Sequence, residues 1–115
     1  MSKTSLSQPP LTETTFYILL SMATERKHGY AILKDVEMLS QGRVVFSTGT
    51  LYGALSRLLD QDLIKCVEEE DPTKVGRPRK FYILTGSGRK VLVVEAERLQ
   101  SMVAAVHQRL AQMEA

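Results

Sequence analysis

Hydrophobic residues recur along this chain with spacings that change from segment to segment, and each spacing predicts a different element. Phe16-Tyr17-Ile18-Leu19-Leu20 places five apolar side chains in succession, which predicts a helix capped by Thr12, buried on more than one side and ending near Ala23. Lys27-His28-Gly29-Tyr30 interrupts it. A second helix follows with Tyr30, Ile32, Leu33, Val36 and Leu39 on its apolar side and Lys34, Asp35 and Glu37 outward, closed by Gly42. Arg43-Val44-Val45-Phe46 is β-branched and aromatic and predicts a short strand.

The stretch from Ser47 to Ile64 predicts a helix with two unlike faces. Ser47 or Thr48 caps its start, and Leu51, Leu55, Leu58 and Leu59 form a stripe that must be buried. Thr48, Gly49, Tyr52, Gly53 and Ser56 lie opposite, with Arg57 beside them. A face so small and hydroxyl-rich lets another surface come close and bond to it, as in a DNA groove, where the helix dipole also favours phosphate. Taken alone, the same pattern suits a helix whose outer face meets water. The flanking segments decide between the two.

Ile64-Lys65-Cys66-Val67-Glu68-Glu69 and Lys80-Phe81-Tyr82-Ile83-Leu84 read as paired strands, with Cys66 in phase with Ile64 and so expected to point into the core. The connection from Glu70 to Arg79 is too long for a tight turn and is rich in Pro and Gly. Helices followed by such a hairpin predict a winged helix-turn-helix. Charge order then gives the wing a direction: Glu68, Glu69, Glu70 and Asp71 repel phosphate, whereas Lys74, Arg77, Arg79 and Lys80 attract it. Gly76 permits close backbone approach and Pro78 stiffens the arm that presents the arginines.

From Thr85 the pattern becomes one long helix. Leu92, Ala96, Leu99, Val103, Val106, Leu110 and Met113 alternate steps of four and three, the spacing of a coiled-coil seam. At 1.5 Å per residue the helix would run roughly 40 Å, longer than so small a core covers, so the seam calls for a second copy of the chain.

Composition narrows the function without naming it. The chain has 115 residues, 43% of them hydrophobic and 24% charged, which suits one domain with a modest core. A net charge of +2 is too small to imply a nucleic-acid partner, so that argument rests on where the cations sit. Cys66 is the only cysteine, which excludes an intramolecular disulfide and a cysteine-rich metal site, and suits the cytoplasm. His28 and His107 are far apart in sequence and His28 stands in a turn, so no metal site is expected and His28 is read as a turn residue. The set of nucleophile, base and orienting group that catalysis requires is missing, and no enzyme is expected. No apolar run suits a leader or a membrane span.

Three segments together carry a resemblance to a family. Phe16-Tyr17-Ile18-Leu19-Leu20 with His28-Gly29-Tyr30, then Gly49-Thr50-Leu51-Tyr52 with Leu55, Arg57-Leu58 and Leu63-Ile64, and then Gly76-Arg77-Pro78-Arg79-Lys80-Phe81-Tyr82 with Leu84-Thr85 and Gly88-Arg89, resemble the PadR family of bacterial transcriptional regulators from Leu11 onward. The resemblance implies a homodimeric DNA-binding regulator, usually a repressor, with its third helix in the major groove and its wing near the minor groove or backbone. It also implies that the last helix pairs across the dimer with help from the first, which brings in Phe16. A single C-terminal helix looks like the family's short-tailed branch, some members of which hold flat aromatic compounds between tryptophans at the dimer interface. This chain has no tryptophan, so any effector pocket there is expected to use Phe16, Tyr17 and aliphatic or Met side chains of the last helix.

The expected organisation is therefore mainly α with a small β-hairpin. A flexible arm covers residues 1–10, a winged helix-turn-helix domain 11–85 and a dimerisation helix 86–115. DNA contacts are expected from Ser47, Thr48, Thr50, Tyr52, Ser56, Arg57, Lys74, Arg77, Arg79 and Lys80, and no cofactor is expected. A winged-helix module that binds protein and not DNA is the alternative; a basic wing and a hydroxylated outer face favour DNA.

Overall fold

The computed structural model describes residues 8–70 and 78–114. Three helices, α1 (Glu13–Ser21), α2 (Gly29–Leu39) and α3 (Thr48–Asp60), precede an antiparallel hairpin of β1 (Ile64–Glu70) and β2 (Pro78–Leu84), and α4 (Gly86–Glu114) follows. The fold is mainly helical, as the periodicity predicts.

Local chemistry sets the helix starts. Thr12 accepts from the Thr15 N–H at 3.1 Å, His28 Nδ1 accepts from the Ala31 N–H at 3.3 Å, and Thr85 Oγ1 accepts from the Gly88 N–H at 3.0 Å. His28 is thus a cap at the turn. Past the end of α2, Gln41 and Gly42 take positive φ and the Gly42 N–H donates back to the Glu37 carbonyl, which reverses the chain.

The core collects Ile18 and Leu19 of α1, Ile32 and Val36 of α2, Leu51, Ala54, Leu55 and Leu58 of α3, and Ile64, Tyr82 and Leu84 from the base of the hairpin. Burying a leucine as fully as Leu51 contributes about 2 kcal/mol through its apolar area.

Two expectations need correction. Residues 43–46 form no strand; Val44 and Phe46 turn their side chains against the core, and Lys27 supplies the extra sheet partner instead, exchanging two backbone hydrogen bonds with Tyr82 at 2.8 and 3.1 Å. Cys66 is exposed although it shares a sheet face with Ile64, because Tyr82, its partner across the ladder and one strand nearer Lys27, fills the core at that level. Of the N-terminal arm, residues 1–7 lie outside the described residues, while Gln8 is tied down by its amide N–H donating to the Val91 carbonyl at 3.1 Å. Leu92, expected on the seam of the last helix, is 9% exposed and packs into the core of its own chain.

The start of α4 is held by two features. Gly88 lies so close to the preceding turn that a methyl group there would come within 2.0 Å of the Leu63 carbonyl oxygen. Seven residues on, Glu95 is 2% exposed, accepts from Arg98 at 2.6 and 2.9 Å and from the Leu11 N–H at 3.1 Å, and so pins the entry to α1 onto α4. Hydrogen bonds from Arg98 hold its carboxyl below the usual range against the opposing effect of burial, with the Leu11 N–H assisting. A lowered folded-state value makes this contribution fully present above the ordinary value of 4.5 and lost as pH falls through the folded value. Glu95→Gln is therefore expected to lower the melting temperature at pH 7 and to flatten its decline between about pH 5 and pH 3. Parallel melting curves for parent and variant over that range would show that another carboxylate dominates.

Beyond Gln100 every described residue of α4 is exposed, and the helix carries the molecule to a length of 66 Å. Val103 and Val106 are each 53% exposed, and Leu110 and Met113 lie exposed along the same stripe.

Candidate nucleic-acid interface

Burial of Leu51, Ala54, Leu55 and Leu58 fixes which way α3 faces and leaves Thr48, Gly49, Thr50, Tyr52, Ser56 and Arg57 exposed on its outer side. Ser47, and not Thr48, is the cap: its hydroxyl accepts from the Thr50 N–H and donates to Thr50 Oγ1, both at 3.1 Å. Ser47 and Thr50 are thus hydrogen-bonded to each other at the helix start. Thr48 and Ser56 are exposed about two turns apart on this outer side, and Arg57 follows Ser56 at its edge. Tyr52 has two roles, being half exposed while its hydroxyl rests on the start of α2. A methyl group at Gly29 would stand 2.5 Å from that hydroxyl, so glycine there allows α2 and α3 to meet at this angle.

The wing is longer and more ordered in its stem than an extended loop from Glu70 to Arg79 implies. Strand pairing runs out to Glu70 opposite Pro78, which puts Arg79 opposite Glu69 and Lys80 opposite Glu68. Arg79 and Lys80 are exposed on β2, whereas Lys74 and Arg77 lie outside the described residues.

Two features of the site go beyond the residues that the sequence pattern singles out. Arg26, in the turn before α2, donates from both terminal nitrogens to the Glu69 carboxylate, Nη2 at 2.6 Å, while its guanidinium lies 4.5 Å from the centre of the Phe81 ring. That hydrogen bonding holds the Glu69 carboxyl below its ordinary range and raises the guanidinium. His28 meets the same Phe81 ring edge-on, and its partial burial, with the charge of Arg79 nearby, pushes the imidazole down and favours the neutral form that its Nδ1 needs to cap α2. Glu95 is the second feature. It lies three residues after Leu92 and four before Leu99, so helical spacing alone could have placed it on the inner face.

Phe16 and Tyr17, rings edge-on with centres 5.6 Å apart, border a concavity of about 320 Å³ with Leu11, Leu99 and the ion pairs Arg43–Glu13 and Arg98–Glu95. Phe16, Tyr17 and Leu99 of the last helix meet there beside the two charged pairs. Among the described residues no group of three or more His, Cys, Asp or Glu could hold a metal ion, and no helix is long and apolar enough to cross a membrane.

Three helices with a two-stranded wing and an outward-facing third helix define a winged helix-turn-helix protein. The chain belongs to the transcriptional regulator PadR-like family, whose model matches residues 18–94, and regulators of this kind are not enzymes. It is 32% identical over 88 residues to the transcriptional regulator YqjI of Escherichia coli, covering 76% of this chain and 40% of that protein. It is 39% identical over 82 residues to an uncharacterized 37.1 kDa protein of a Streptomyces fradiae transposon, covering 71% of this chain and 21% of the other. The chain thus spans less than half the length of these curated relatives. Among solved structures, a PadR family transcription regulator from Clostridium difficile superposes with a TM-score of 0.71 at 24% identity, covering 86% of this chain and 99% of that one. Bacillus subtilis PadR in complex with operator DNA superposes with a TM-score of 0.59 at 24% identity, over 68% of this chain and 43% of that one. Identity at this level establishes the shared fold.

Proposed function

We propose that this chain is a sequence-specific DNA-binding repressor that acts in the cytoplasm as a homodimer on an inverted-repeat operator. The observation that carries the reading is the outer face of α3: hydroxylated, exposed from Thr48 at its start to Arg57 near its end, and backed by four buried residues that fix its direction. Family membership supports it, as does the likeness in fold to a regulator solved on its operator. Two-fold symmetry would space the half-sites by one helical turn, roughly 10 base pairs. The stripe Ala96, Leu99, Val103, Val106, Leu110 and Met113 would form the dimer contact, with Phe16 of α1 at its upper edge.

In this reading Thr48, Tyr52, Ser56 and Arg57 approach the groove, and Arg79 and Lys80, with Lys74 and Arg77, meet phosphate or the minor groove. Replacing Arg77 and Arg79 together by Ala is expected to weaken binding to every sequence and to flatten its salt dependence by roughly one unit of slope for each phosphate left unneutralised. Substituting those α3 residues that reach bases should instead narrow the gap between operator and scrambled DNA by about 1–3 kcal/mol per base pairing removed. Anisotropy titrations against the upstream region of its own gene and against scrambled DNA, at several salt concentrations, test both. Equal and weak binding to the two duplexes, unchanged by the double arginine replacement, would favour a protein-binding module.

A further inference from the structure

The turn before α2 grips the wing at three successive residues. Arg26 bonds Glu69 through both terminal nitrogens and covers Phe81, the Lys27 backbone pairs with Tyr82, and the His28 ring meets the edge of Phe81. Antiparallel pairing puts Glu69 directly opposite Arg79, so the two share one face of the hairpin. That face therefore carries a carboxylate beside a cation expected to meet phosphate, and the structure supplies a guanidinium to the carboxylate from a different element.

We infer that Arg26 is a positioning residue for DNA binding that acts by neutralising Glu69 on the wing face that carries Arg79. This rests on the DNA-binding reading. Without Arg26, Glu69 would leave a negative charge on a side chain whose Cβ lies about 5 Å from that of Arg79, within one Debye length of any phosphate bound there. It would also compete for Arg79 across the ladder. Arg26 acts on DNA through the charge of Glu69, and not by touching DNA itself.

Charge arithmetic separates this role from a direct contact. The Arg26–Glu69 pair sums to zero in the parent, to −1 in Arg26→Gln, to +1 in Glu69→Gln and again to zero in the double variant. The test measures binding of the four intact proteins to a labelled duplex from the upstream region of the protein's own gene, and to an unrelated duplex of equal length, over a salt series. Arg26→Gln is expected to bind both duplexes roughly three- to ten-fold more weakly, and Glu69→Gln about two-fold or more tightly than the parent. The double variant should return to within about two-fold of the parent and keep its salt slope, since the pair is neutral in both. An exposed ion pair adds little to stability, so the four melting temperatures should agree within a few degrees.

A double variant as weak as Arg26→Gln, with a salt slope about one unit shallower than the parent, would overturn the inference and make Arg26 a phosphate contact itself. Parental binding by Arg26→Gln would also overturn it. A parent that binds neither duplex would remove the DNA reading and this inference with it, whereas a parent that binds while the double variant fails to recover removes the inference alone.

Discussion

Gly88→Ala is expected to cost about 3 kcal/mol of stability or more, lowering the melting temperature by roughly 10 °C at fixed protein concentration. The new methyl group would meet the Leu63 carbonyl oxygen at 2.0 Å and Leu84 Cδ1 at 2.9 Å. Leu84 could change rotamer. The carbonyl cannot withdraw as easily, because it accepts the Thr85 N–H at 3.1 Å, and Thr85 is itself fixed by donating its hydroxyl to the Asp62 carbonyl at 2.7 Å. Moving one therefore disturbs the turn after α3, the end of β2 and the cap of α4 together. Gly86→Ala is the matched control, since nothing lies within 4 Å of its position and alanine favours a helix start more than glycine does. Thermal melts followed by circular dichroism should separate the two variants clearly. If both melt with the parent, the close approach of α4 to the turn does not hold in solution.

Val103→Asp is expected to raise the dissociation constant of the dimer by about a hundred-fold or more, because two unpaired carboxylates would be forced into the middle of the apolar stripe. Nothing in the chain's own core depends on Val103, which is 53% exposed, so the winged domain should keep its melting behaviour. Ser101→Asp is the control: helical spacing sets Ser101 on the side away from the stripe, and association should persist. Operator affinity should fall steeply for Val103→Asp alone, since a monomer engages one half-site and loses the effective concentration that linkage of two recognition helices provides. Sedimentation equilibrium with a parallel DNA titration reads both effects. A parent that sediments as a monomer at micromolar concentration, or a variant that dimerises as well as the parent, would assign the stripe to some other use.

Cys66 and Leu92 show where periodicity stops being informative. Both sit on the face that alternation or heptad spacing assigns, yet Cys66 is exposed and Leu92 is buried in its own chain. A period tells which side chains share a face and says nothing about how far a core extends along it. The strand expected at residues 43–46 fails for a related reason. Val44, Val45 and Phe46 favour extended backbone, but a strand needs a partner, and the partner position beside Tyr82 is taken by Lys27.

Local sequence alone determined the caps at Thr12 and Thr85, the buried stripe and outer face of α3 and the length of α4, because a cap and an apolar repeat each depend on residues a few positions apart, and it set the hairpin through two alternating segments joined by one loop. Tertiary structure alone decided that Arg26 would hold Glu69 across 43 positions and that Glu95 would hold the Leu11 backbone across 84. It decided as well where α4 stops serving its own core and becomes exposed. Those outcomes depend on how separate elements meet in space: spacing along α4 can set Glu95 on the inner face, but it cannot name a partner 84 positions away.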